Sequence, residues 1–227
     1  VPRDILDKLG GLSVETSSTA VQSLTDAYIY LRDYPYQCSE QMSSRLMAML
    51  ALQVSLNAFG ILKPEEQVAY RSRIQNDIDI LQLRQSQNGG FGLWKANENV
   101  RWPYVSVQVT KALGLAQERH YKVKKEILAN SLNHLRRIET FIPADYSESV
   151  KIAVIAQALN VRQLLNDSDP AAAKRLLQRD LNPKQKSKSL SLEVAAWLLV
   201  ILDKQPAYSA DVKLLRNYID GQIKETA

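Results

Sequence analysis

Cys38 is the only cysteine of this chain, and a glutamine, Gln41, stands three residues after it in Tyr34-Pro35-Tyr36-Gln37-Cys38-Ser39-Glu40-Gln41. A thiol and a carboxamide at that spacing can condense. The sulfur of Cys38 takes the side-chain acyl carbon of Gln41, ammonia leaves, and an internal thioester closes. Such a bond is a stored electrophile. A chain that carries it attaches covalently to an amine or hydroxyl that reaches the acyl carbon. The bland alternative is a buried, inert cysteine acting as a small hydrophobe, and the residue types alone leave both readings open.

The ring needs its two ends on one face of a helix. Residues three apart on a helix are neighbours, so Cys38 and Gln41 meet across a first turn. Pro35 disfavours helix before it and fixes the entry of the chain. Glu40 suits the positive end of the helix dipole, and a helix N-terminus favours thiolate chemistry. The helix that follows, from about Ser39 to Phe59, is apolar on nearly every side, with Leu46, Met47, Met49, Leu50, Leu52, Val54 and Leu56. A helix of that kind belongs to an inner layer.

Around it the pattern predicts helices and short turns. A helix over Ala20–Arg32 precedes the cysteine, with N-cap candidates in Thr16-Ser17-Ser18-Thr19. Pro64 opens another, running to about Gln85 with Val68, Ile74, Ile78 and Leu81 inward. Further helices are expected near Pro103–Arg119, Val123–Thr140, Ala144–Leu164, Pro170–Arg179, Leu190–Leu202 and Ala210–Lys224. The acidic turn at Asn166-Asp167-Ser168-Asp169 caps the helix begun at Pro170. Leu12-Ser13-Val14 is the one strand candidate. Helices joined by short turns pack as antiparallel hairpins, so the chain reads as all-α.

Composition narrows the function. Hydrophobic residues make up 45% and charged residues 23%, as in an ordinary globular protein. The net charge of +5 is spread out. Its densest clusters, Lys122-Val123-Lys124-Lys125 and Lys184-Gln185-Lys186-Ser187-Lys188, have no interleaved aromatics and read as solvated faces rather than a nucleic-acid surface. No run of about 18 apolar residues is present. One cysteine and two distant histidines, His120 and His134, do not make a zinc site, so neither a metal nor a cofactor is expected. Both histidines read as structural or surface residues.

Tyr-Pro-Tyr-x-Cys-x-Glu-Gln resembles the thioester motif of the bacterial α2-macroglobulin family, relatives of the complement components. The usual family form has glycine or leucine where Ser39 stands here. Gln85-Ser86-Gln87-Asn88-Gly89-Gly90-Phe91-Gly92-Leu93-Trp94 is similar to the Gly-Gly-Phe-x-x-Trp loop of the same domain. The stretch from Trp102 to Tyr121 resembles the helix and turn after that loop, and Pro2-Arg3-Asp4 with Gly10-Gly11-Leu12-Ser13-Val14 resembles the lead-in.

The resemblance implies an α/α toroid of helical hairpins, with residues 1–15 as lead-in and 16–227 as the helical thioester domain. The helices counted above are too few for the family's six hairpins. A ring incomplete at its C-terminal end is expected, with an exposed edge through which the fragment could oligomerise. The resemblance further implies a broad-spectrum endopeptidase inhibitor, not an enzyme, in the periplasm or at the cell surface. It would trap proteases through their lysine amines and work with other domains of the same parent chain. Cys38 would be the leaving thiolate, Gln41 the acyl donor, and Glu40 a residue that orients the motif. Tyr34, Tyr36, Phe91, Trp94, Trp102 and Tyr104 read either as an apolar shield around the bond or as ordinary packing aromatics. Some complement members carry a histidine just after the Gly-x-Phe loop as an acyl relay. Lys95 to Val105 holds none, so amines are expected as targets over hydroxyls.

A second class shares the toroid. Gln85-x-x-Asn88-Gly89-Gly90-Phe91-x-x-Trp94 also resembles the glutamine-tryptophan repeat of terpenoid cyclases. A cyclase needs an Asp-rich catalytic run, and Asp77-Ile78-Asp79 is only a helix-face pair. A helical scaffold without a thioester remains the alternative reading.

Overall fold

A computed structural model describes residues 30, 34, 36–60, 63–98, 102–180 and 190–226, without the side chains of 180 and 223–226. The lead-in, the Leu12–Val14 strand candidate, nearly all of the Ala20–Arg32 helix and the Lys184–Lys188 cluster lie outside the described residues. Among the described residues are eight α-helices and no β-strand: α1 Ser39–Ala58, α2 Pro64–Leu83, α3 Pro103–Glu118, α4 Lys125–Arg136, α5 Glu148–Leu164, α6 Pro170–Asp180, α7 Leu192–Leu202 and α8 Ser209–Thr226. The eight helices expected within the described residues are all found, with shifted ends. The stretch expected as one helix over Val123–Thr140 stops at Arg136 and tightens into a 3-10 turn, Ile138–Phe141. The helix expected from Pro64 to Gln85 stops at Leu83, because Gln85 turns away to bridge Phe91.

Each start has a local cause. Pro64 and Pro103 stand at the first positions of α2 and α3, where the missing N–H costs nothing. The Ser147 hydroxyl accepts from Val150 N, Asp169 Oδ1 from Ala172 N, and the Ser191 hydroxyl from Val194 N, so α5, α6 and α7 are each capped by a side chain. The stops of α1, α3 and α5 repeat one device. Gly60, His120 and Asn166 lie two residues past those helices with φ of 62°, 63° and 60°. Their N–H groups bond back to Asn57, Gln117 and Gln163 at 3.0–3.2 Å. After α3 and α5, the next N–H closes the longer bond of a Schellman turn, Tyr121 N to Ala116 O and Asp167 N to Arg162 O. His120 is therefore a turn residue, in keeping with its structural reading.

The packing order explains the layers. Helices α1, α3, α5 and α7 pack in succession, and α2, α4, α6 and α8 flank them. This is an arc of helical hairpins with an inner and an outer row. Two apolar clusters share α3. One gathers Met42, Leu46 and Met49 with Ile74, Ile78, Val105, Val109 and Leu113. The other gathers Val107 with Ile155, Leu159, Leu177, Val194 and Leu198. The most enclosed helix is thus α3, not α1. Expected as buried on all sides, α1 leaves Val54 51% exposed near its C-terminal end. On α2, Val68 was expected inward but is 67% exposed. The buried stripe is Tyr70, Ile74, Asp77, Ile78 and Leu81, and the Tyr70 hydroxyl donates to Met49 O at 2.6 Å, pinning α2 to α1. Among the described residues, no helix is long and apolar enough to cross a membrane.

Candidate functional site

Cys38 caps the N-terminus of α1 from outside the helix, with φ −67° and ψ 158°. Its sulfur accepts weakly from Gln41 N at 3.5 Å, and its thiol donates to Gln41 Oε1 at 3.0 Å. The side chains of Cys38 and Gln41 meet as the spacing requires, through a cap rather than within a helical turn. Sulfur and amide carbon are thereby neighbours, with Cys38 only 9% exposed.

The glycine loop holds this cap from below. Ser39 N donates to Leu93 O at 2.8 Å, and the Ser39 hydroxyl donates to Gly92 O at 2.7 Å. The serine at the variable motif position therefore ties the start of α1 to the loop. The loop is shaped by its own backbone. Gln85 and Phe91 form an antiparallel bridge, Ser86 N donates to Gly90 O, and Gly92 N donates to Arg84 O. At Gly92 a Cβ would lie 1.8 Å from Lys95 O, and at Gly89, with φ 85°, 2.2 Å from Asn130 O. Only glycine permits either approach. Gln85 reaches Ile127 O and the Ser131 hydroxyl, and Phe91 N donates to the Ser106 hydroxyl, which fastens the loop to α4 and α3.

Arg84 joins loop and motif. One of its terminal nitrogens, Nη1, donates to Gln37 O at 2.7 Å and lies 3.2 Å from both the Ser39 hydroxyl and Leu93 O. Above the motif, Arg45 and Asp77 form a bidentate ion pair, Nε to Oδ2 at 2.9 Å and Nη2 to Oδ1 at 2.7 Å. Both side chains are almost fully buried, and Arg45 Nη1 also donates to Tyr34 O. Asp77, read from the sequence as half of a helix-face pair with Asp79, is a buried counter-ion. Glu40 is anchored too. Its Oε1 accepts from the Ser44 hydroxyl at 3.3 Å and, at 3.5 Å, from Gln108 Nε2, which donates to Ser44 Oγ at 2.7 Å. Sequence reasoning missed Arg45, Arg84 and Gln108. Arg45 on an otherwise apolar face and Asp77 at a stripe position were available signals.

The aromatics fall in two groups. Tyr34 packs edge-on against Tyr36 with centroids 5.6 Å apart, and Trp102 stacks on Tyr104 at 6.3 Å. Phe91 is buried, while Tyr34 and Tyr104 are half-buried. Tyr36, Trp94 and Trp102 are 61%, 56% and 49% exposed. Burial, and then the negative charges that Glu40 and Cys38 can carry, push the Tyr104 phenol above its ordinary range.

His134 belongs to the scaffold of the loop. Its Nδ1 lies 3.1 Å from Asn88 O, its ring stacks on Phe141 at 4.1 Å, and it is buried. Burial lowers its pKa below 6.5, only partly offset by the Asn88 carbonyl. The folded state therefore binds this proton less well than the unfolded state, so stability is full above about pH 6.5 and falls as pH drops through that value toward the folded pKa. Urea midpoints should fall between about pH 7.5 and about pH 5.5, and His134→Gln should flatten part of that fall. An identical pH dependence in the variant would refute this assignment.

No family model matches the chain. By sequence it is 33% identical over 107 residues to the α2-macroglobulin homolog of Yersinia pestis, covering 47% of this chain and 5% of that protein. It is also 23% identical over 213 residues to circularly permutated Ras protein 2 of Dictyostelium discoideum, covering 88% of this chain and 5% of that one. The chain thus spans about 5% of the length of these curated relatives. In fold it matches native Escherichia coli α2-macroglobulin with a TM-score of 0.69 at 23% identity, over 88% of this chain and 12% of that one. It matches Salmonella α2-macroglobulin reacted with methylamine with a TM-score of 0.67 at 22% identity, over 86% of this chain and 12% of that one.

Proposed function

Since the chain is related to the bacterial α2-macroglobulins, we propose that its residues 16–227 form the thioester domain of a larger endopeptidase inhibitor of that kind. The parent protein acts outside the cytoplasm, in the periplasm or at the cell surface. A protease that cleaves the parent elsewhere provokes a change of shape that uncovers the Cys38–Gln41 thioester. A lysine amine of the protease then attacks the Gln41 acyl carbon, Cys38 leaves, and the protease stays bound through an amide. Each domain does this once, so it is an inhibitor rather than an enzyme. Glu40, tied to Ser44 and Gln108, keeps the first turn in register.

One observation carries this reading: the thiol of Cys38 lies 3.0 Å from Gln41 Oε1, in a cap gripped by the carbonyls of Gly92 and Leu93. A merely inert cysteine needs no such grip. The exposed rings of Tyr36, Trp94 and Trp102 fit a shield completed by a neighbouring domain of the parent. Their surfaces face outward and would be covered on assembly.

Intact mass of the full-length protein, before and after methylamine, tests the reading. Before treatment the mass should be lower than the sequence requires by one ammonia. Afterwards it should rise by one methylamine, located at Gln41, with one newly alkylatable thiol at Cys38. An unchanged mass and a freely alkylatable Cys38 in fresh protein would instead support a thioester-free helical scaffold.

A further inference from the structure

We propose that Arg84 is the positioning residue that holds Cys38 as the leaving group of the thioester. The inference rests on the thioester reading above and deepens it. Among the described residues, Arg84 is the one side chain that bonds both flanks of the cysteine and the loop beneath it. Nη1 reaches Gln37 O before Cys38, the Ser39 hydroxyl after it, and Leu93 O from the glycine loop, at 2.7, 3.2 and 3.2 Å. These contacts fix the backbone on either side of the sulfur. The guanidinium itself supplies a permanent cation beside it, because it stays protonated. Burial lowers the proton affinity of Arg84, and the charges that Cys38 and Glu98 can carry raise it back in part.

The chemistry explains why a cation belongs there. An amine nitrogen attacks the Gln41 acyl carbon and forms the new carbon–nitrogen bond. The carbon–sulfur bond breaks, and its electron pair remains on Cys38 as a thiolate. The ammonium proton passes to water or buffer. Negative charge therefore grows on the sulfur in the transition state, and a fixed positive charge placed in advance stabilises it. The sulfur also keeps the weak donor it has at rest, Gln41 N at 3.5 Å. Neither histidine supplies this help. His134 is spent on Asn88 O and Phe141, and His120 on the turn after α3.

The full-length protein carries the test, with methylamine as the probe and thiol release as the readout. In Arg84→Gln, which keeps a donor but loses the charge, methylamine uptake should slow about tenfold. Arg84→Lys, which restores the charge but not the fork, should recover part of that loss. A domain merely loosened by the substitution would not sort its variants by charge. Helix content and thermal midpoint serve as controls. Should Arg84→Gln fail to fold, Arg84→Met takes its place as the uncharged variant: uptake slower than in Arg84→Lys supports the inference, and uptake equal to that of Arg84→Lys overturns it. Equal rates in wild type and both folded variants also overturn it while leaving the thioester reading intact. Absence of uptake in the wild type refutes the thioester reading and this inference together.

Discussion

Replacing Cys38 by alanine should abolish covalent capture of proteases and all methylamine uptake while leaving the helical fold in place. The loss should be complete because this chain holds no other cysteine to form the bond with Gln41. The structural cost is small for reasons visible at the cap. Cys38 is a small side chain outside the helix, and its sulfur accepts from Gln41 N at only 3.5 Å. Loss of a helix N-cap costs about 1 kcal/mol, whereas emptying a large core position costs about 2–5 kcal/mol. The bonds that hold the start of α1 come from Ser39 and Arg84, and both survive the substitution. Adduct formation by gel shift with a protease, and thermal unfolding followed by circular dichroism, check the two halves separately. Persistent adducts in the alanine variant would remove Cys38 from the chemistry. An unfolded variant would make it a core residue and restore the bland reading.

What could be read along the chain, and what could not, divides by distance in sequence. Cys38 and Gln41 were legible as a pair because residues so spaced meet through local geometry. The helices were legible because their signals are local as well: Pro64, Pro103 and Pro170 at first turns, Asp169 at a cap. The supports of the motif were not. Arg84 reaches residues 47 and 45 positions earlier, Gln108 reaches Glu40 across 68, and Arg45 finds Asp77 across 32. Only the packing of α1 against α2 and α3 makes them neighbours.

Two misreadings have the same origin. Apolar content predicted α1 in an inner layer and buried on all sides, but among the described residues it has an inner-row neighbour, α3, on one side only. Sandwiched between α1 and α5, α3 is buried more fully. On α2, residue type pointed to Val68, yet the stripe that faces the core includes the polar-tipped Tyr70 and the charged Asp77, each with a partner. The repeat of the fold was visible in principle. Gly60, His120 and Asn166 punctuate successive inner helices in the left-handed conformation that glycine and asparagine adopt most readily. The histidine among them disguised the series.

The largest effect on stability is expected at Asp77. Its carboxylate and the Arg45 guanidinium are 1% and 2% exposed and hold each other by two hydrogen bonds. Both ions lost water on folding, and their attraction offsets that cost only while both are present. Asp77→Ala leaves the Arg45 charge buried without its counter-ion, a change that costs about 3–5 kcal/mol. Urea unfolding of the 227-residue chain should show a loss of that size. The double variant Arg45→Met with Asp77→Leu should regain most of it, because apolar side chains of similar volume need no counter-ion. That recovery should not extend to the site. Arg45 Nη1 also holds Tyr34 O, the backbone four residues before the cysteine, and methionine cannot make that bond. The double variant should therefore fold well yet lose its thioester to water faster than the wild type, measured as Cys38 thiol appearing in untreated full-length protein. A single Asp77→Ala variant within about 1 kcal/mol of wild type would show that the pair does not bear on stability. Equal thiol release in the double variant and wild type would show that anchoring Tyr34 does not bear on the bond.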